Sequence, residues 1–383
     1  MAKPMPITGS VLNWALIDRH LTAATAADRL NVDQELLKSW IDEDTQPTKG
    51  QFDALVKLLA CNESFLFLPT PPTSSREHKV EFRRYPGAPE SIPAETANAM
   101  RIAQTVLRIT KWIADKAAQD GADWPKVPRA DRGENPEVVA ERLRAWLDWS
   151  ESNQSSKSAT DSSAGKAMRN ALQQNRIVVL HLTMDERVTR GFSLHDGPVS
   201  VIAINTRDHV RARFFSYAHE LTHLALRDDS VCLSRNDSSE VERFCNRVAA
   251  ALLMPEHSFR LFVESRLKGH IKTRENVVSI RNYFKVSVQA AAIRALTLGL
   301  ASQYLYDQII EDSEPKSGGG GYVPGNERTR PRVRVDQYGS GFVNSLLDAE
   351  NFGYLRRTQV LDLLNLSDRE LSSARELASS EVG

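Results

Sequence analysis

The chain has 383 residues, 41% of them hydrophobic, and its 49 Lys plus Arg balance 49 Asp plus Glu. That length exceeds what one hydrophobic core usually organises and predicts two or three domains, while the charge balance excludes a global pull toward nucleic acid or anionic membrane. Three cysteines, Cys61, Cys232 and Cys245, are too few and too scattered for a disulfide framework or a four-thiolate site, and fit a reducing compartment. No run of about 18 apolar residues occurs and the N-terminus lacks a signal-peptide pattern, so the expectation is a soluble, cytoplasmic protein with no membrane partner.

Apolar-periodic segments at residues 11–20, 25–30, 33–40 and 51–59 predict a compact helical domain over residues 1–72. The break at Asn31 and Val32, with Asp33 placed to cap the following segment, is the layout of a helix-turn-helix. The stretch AADRLNVDQELLKSWIDEDTQPTKGQFDALVKLL, including its Pro47 and Thr48 step, resembles Cro and phage-repressor domains. The resemblance implies DNA binding, with Gln34, Lys38 and Ser39 as the residues to meet DNA or another partner. Against DNA, residues 1–72 carry six basic and nine acidic side chains, and the second helix opens with Asp33, Gln34 and Glu35, which repel phosphate. A helical module for protein contacts is the other reading.

Residues 69–75 form a Pro, Thr and Ser-rich linker, followed by EFRRYPG and by predicted helices over 94–118 and 136–149. Residues 150–166 are Ser-rich and predict a flexible, exposed loop, so residues 73–165 are taken as a helical linker region. After a helix near 167–174 come IVVLHL (177–182), GFSL (191–194) and VSVIAIN (199–205), whose β-branched content and turn residues 195–198 predict a small sheet with a hairpin. The fold class is α+β, mainly helical, with residues 166–312 as its core.

The next predicted helix, 210–226, contains HELTH, in which His219 and His223 stand four residues apart and project from one helix face. Two imidazoles can reach one ion, and zinc suits imidazole nitrogen with three protein ligands and one position left for water. Glu220, beside the first His, is placed to take a proton from that water. The third ligand is expected from the segment DSSEVERFCNRVAAALLMP, which has cap candidates at its start and Pro255 at its end. Glu242 shares a face with Asn246, Ala249 and Leu253 there. Its rivals are Glu240, Asp228 and Asp229.

FFSYAHELTHLAL and EVERFCNRVAAALLMPEHSF together resemble the core of the ImmA/IrrE metallopeptidases over roughly residues 177–260. The resemblance implies a zincin-like core, one Zn2+ per chain and Glu242 as third ligand. Joined to a repressor-like domain and FRRYPG, the arrangement is similar to longer members carrying both modules. It implies a protein substrate, a repressor or other regulator, in a stress, mobile-element or toxin–antitoxin setting. The alternative is a DNA-binding regulator or antitoxin, with a toxin as possible partner, in which the metal site is structural or latent. Ala251 stands where many relatives have Glu. Tyr217 and Tyr283 are candidates to stabilise a transition state through their hydroxyls.

Residues 272–300 predict a helix, a turn and an Ala-rich helix, and resemble the small helical element that often follows the ImmA/IrrE core, which implies that they pack on it. Residues 313–335 are a Gly/Arg-rich linker in which Arg328, Arg330, Arg332 and Arg334 fall at period two, on one face of a predicted extended strand, as a partner-binding row or a charged edge. Residues 336–383 predict a small module of two or three amphipathic helices.

Overall fold

The computed structural model describes residues 4–18, 21–59, 63–71, 93–121, 123–155, 160–185, 189–227, 240–311 and 328–380. Among them the chain forms two compact units, residues 4–71 with 93–101 and residues 102–380.

The first unit contains α1 (Gly9–Asp18), α2 (Ala23–Leu30), α3 (Gln34–Ile41), α4 (Lys49–Leu59) and a 3-10 turn (Glu63–Phe67). Thr22 caps α2 by accepting from the Thr25 N–H at 3.1 Å, and Asp33 caps α3 by accepting from the Glu35 N–H at 2.8 Å. Between them Asn31 takes the left-handed conformation, φ 53°, which Asn tolerates better than most residues. Leu12, Leu37, Trp40, Phe52 and Leu55 close the core of this unit.

Helix α5 (Ala94–Gln119) contributes residues to both units. The second unit continues with α6 (Pro136–Trp146), α7 (Glu151–Ser155) and α8 (Asp161–Gln174). The sequence predicted a loop over 150–166, and the structure corrects this at both ends. Thr160 and Ser163 form a reciprocal capping box that starts α8 six residues earlier than the apolar pattern suggests. Gln154 in α7 is buried, donating to the Leu253 and Phe284 carbonyls at 2.7 Å each and accepting from Trp149 Nε1. Composition alone cannot anticipate such partners, which lie 99 and 130 residues away.

Strands β1 (Val178–Leu182), β2 (Gly191–Asp196) and β3 (Val199–Asn205) form one sheet in the order β1-β3-β2. β2 and β3 are the expected antiparallel hairpin, turned at Gly197, while β1 runs parallel to β3. β3 is buried along its whole length. α9 (Val210–Leu226) crosses β2 and β3, α8 packs on β1 and α9, and α10 (Glu240–Leu253) packs between α9 and α6.

Three long polar side chains fasten the C-terminal end of α10, where helix carbonyls lack intrahelical donors. Arg144 donates to Leu252 O at 2.6 Å, Gln154 to Leu253 O at 2.7 Å and Arg294 to Met254 O at 2.9 Å. α11 (Glu256–Leu267), α12 (Arg274–Phe284), α13 (Val288–Thr297) and α14 (Gln303–Glu311) follow. As expected, α12 and α13 pack on the core, through Val277, Ile280, Ala291 and Ala295.

The arginine-rich segment is helical, not extended. α15 (Arg330–Tyr338) buries Pro331 and Val335, four residues apart, so the apolar contact follows the helix repeat and the alternating arginines are spread around the axis. Thr329 and Pro331 at its start are helix-opening residues. α15 packs on β1 and on α18 (Asp368–Ser380); α16 (Ser340–Asn351) packs on α18 and α8, and α17 (Arg357–Leu364) on α16.

Candidate metal centre

α9 places His219 and His223 one turn apart on the face that meets α10, and α10 returns Glu242 to them in its first turn. Glu242 Oε2 lies 3.1 Å from His219 Nε2, Glu242 Oε1 lies 3.1 Å from His223 Nε2, and the two Nε2 atoms are 3.2 Å apart. A tetrahedral ion with bonds near 2.0–2.1 Å has ligand–ligand edges of about 3.3 Å. The triangle of donor atoms therefore has the size that one such ion needs. His223 is 1% exposed, Glu242 7% and His219 13%, so the triad opens to solvent past His219.

Burial alone would push the Glu242 carboxyl up, but the hydrogen bonds and charges of His219 and His223 outweigh it and hold the group well below the usual carboxylate range. Glu242 is therefore an ionised carboxylate. Glu220 is the opposite case, since burial lifts it to about 7, reinforced by the Glu242 charge and opposed by His219 and Ser193. Any cation held by the triad would lower it again.

Of the rivals to Glu242, Glu240 sits exposed at the first position of α10, outside the triad, and Asp228 and Asp229 lie outside the described residues, as do Asp237 and Ser238, the cap candidates expected at the start of that helix. Neither tyrosine makes its observed contacts with the triad. The Tyr217 hydroxyl is buried and lies 2.6 Å from His181 Nε2 on β1. Burial, then the charges of Arg169 and Arg213, lowers the pKa of His181 well below its ordinary value. Tyr283 packs edge-on to Phe284 and against Phe262.

In the first unit Gln34 and Lys38 are exposed, but Lys38 is paired with Glu35 at 2.9 Å, and Ser39 donates to Leu36 O. The arginines of the C-terminal part are also engaged: Arg328 and Arg332 with Asp336, Arg330 with Asn365 and Arg334 with Gln337. Sequence reasoning missed Gly191, Ser193 and His181, whose neighbours come from α9. The available signal was alternation, which puts Gly191 and Ser193 on one strand face.

Residues 172–296 match the family model of the IrrE N-terminal-like domain. The match runs from the end of α8 through α13 and contains the whole triad. It supports the ImmA/IrrE family for this segment, and with the His219, His223 and Glu242 cluster it supports a metal-dependent peptidase. No curated protein and no solved structure matches the chain. Within the IrrE-like segment the sheet carries α9, and α9 with α10 carries the triad. Among the described residues no helix is long and apolar enough to cross a membrane.

Proposed function

We propose that the protein is a single-zinc endopeptidase of the ImmA/IrrE kind. The convergence of His219, His223 and Glu242, with buried Glu220 beside them, carries this reading. Zinc, when bound there, supplies a Lewis acid and makes water a nucleophile near neutral pH. Glu220 takes the proton from the attacking water and passes it to the leaving amine. The ionised Glu242 balances the charge between two imidazoles, and the exposed edge of His219 marks the side on which a peptide enters. The substrate is a regulatory, repressor-like protein, selected by the flanking helical elements. A cytoplasmic setting fits the few, scattered cysteines.

The test is elemental analysis of protein purified without chelator, beside a search for cleaved regulators on co-expression. About one zinc per chain in the wild type, lost in Glu242→Ala, is the expected result. A metal-free wild type after zinc is supplied would sink the proposal.

A second reading concerns the first unit. α2 and α3, joined by residues 31–33 and capped by Thr22 and Asp33, favour a helix-turn-helix, which here serves as a docking module for the protein substrate or a toxin partner. DNA is disfavoured by the acidic opening of α3. A salt-dependent gel shift with DNA from the protein's own promoter would reverse that preference and point to a regulator or antitoxin with a structural or latent metal site.

A further inference from the structure

Glu220 lies against the start of β2. A Cβ on Gly191 would stand 3.5 Å from Glu220 Oε1 and 2.9 Å from the Ala203 carbonyl oxygen. The Ala203 carbonyl is what demands glycine here, and the carboxylate rests at ordinary contact distance on the strand beside it. Strand alternation puts Ser193 on the same face, where it faces Glu220. That face also carries Val179, Ile202 and Ile204, aligned across the sheet and packed in the core, together with His181, His195 and Ser200. Ser193 is 2% exposed, and its Oγ has no completed hydrogen bond among the described residues. A buried hydroxyl that satisfies nothing is costly, and an Ala or Val would pack here at lower cost.

The geometry points to Ser193 as the positioning residue of Glu220: its hydroxyl donates to one carboxylate oxygen and sets the direction in which the other oxygen faces the reacting water. Rotation of the Ser193 hydroxyl and a small turn of the Glu220 carboxylate complete the bond. The assignment rests on the reading of Glu220 as the base, but the contact itself can be tested without that reading.

Two measurements on the full-length protein decide it. The first is a double-variant cycle of Ser193→Ala and Glu220→Met, followed by thermal unfolding in the metal-free protein. The midpoint shift of the double variant should differ from the sum of the single shifts, whereas additive shifts mean that the two side chains do not interact and overturn the proposal. The second uses casein as probe. Ser193→Ala should lose roughly tenfold in kcat with KM and zinc content unchanged and with an altered pH profile, and Ser193→Thr should recover most of the loss. Full activity in Ser193→Ala, with Glu220→Gln inactive, also overturns it. If wild type and Glu220→Gln treat casein alike, casein is not a substrate, and the unfolding cycle alone decides on Ser193.

Discussion

Two glutamates in neighbouring helices have opposite electrostatic fates. Glu242 is pulled down by two imidazoles and Glu220 is pushed up by burial. Their substitutions should therefore separate. Glu220→Gln should keep zinc and lose at least about 100-fold in cleavage rate, the scale at which general acid–base catalysis operates, as measured by elemental analysis and a cleavage assay. Glu242→Ala should lose the zinc. His181 gives a third outcome at this scale. Its folded-state pKa lies below the ordinary 6.5, so below that pH the unfolded chain binds a proton that the folded chain refuses. The stability it contributes is present above pH 6.5 and is lost as the pH falls. His181→Gln should flatten the decline in melting temperature between roughly pH 7 and pH 5.

The helices that form the site depend on contacts made far along the chain. α10 is held at its C-terminal end by Arg144, Gln154 and Arg294, from three other elements. Gln154→Leu leaves the Leu253 and Phe284 carbonyls and Trp149 Nε1 without their partner, and should cost about 3 kcal/mol by denaturant unfolding. Thr160→Ala removes half of the capping box of α8 and should cost about 1 kcal/mol. These two positions fall in the Ser-rich stretch whose composition predicted a loop. Its hydroxyls and amides compete with helix interiors but also make good caps and carbonyl clamps, and composition does not reveal which role they take. The arginine segment shows the complementary case, because a period-two charge pattern suggested a strand while the buried pair Pro331 and Val335 follows the helix repeat.

At the scale of the molecule, the two compact units should respond differently to loss of metal. The triad lies wholly in the second unit, between α9 and α10. Calorimetry with a chelator should therefore lower the transition of that unit and leave the transition of the first unit in place, since binding stabilises only what binds. A first transition that moves equally would contradict this. The tail helices α15, α16 and α18 pack on one another, with α15 and α16 also against β1, so the C-terminal segment is tied to the strand that carries His181.

By itself the sequence determined the helical first unit, the hairpin, α9 and the HELTH face, because these depend on local periodicity, caps and turn residues. It also brought Glu242 forward, since helical spacing places that carboxylate on one stripe with Asn246 and Ala249. Only the tertiary structure brought Glu242 and not Glu240 to the two histidines, gave α15 its helical form, and set Gly191 and Ser193 against Glu220. Each of those outcomes turns on which surfaces meet across long stretches of chain. Burial and proximity, which set pKa values and select rotamers, exist only after that meeting.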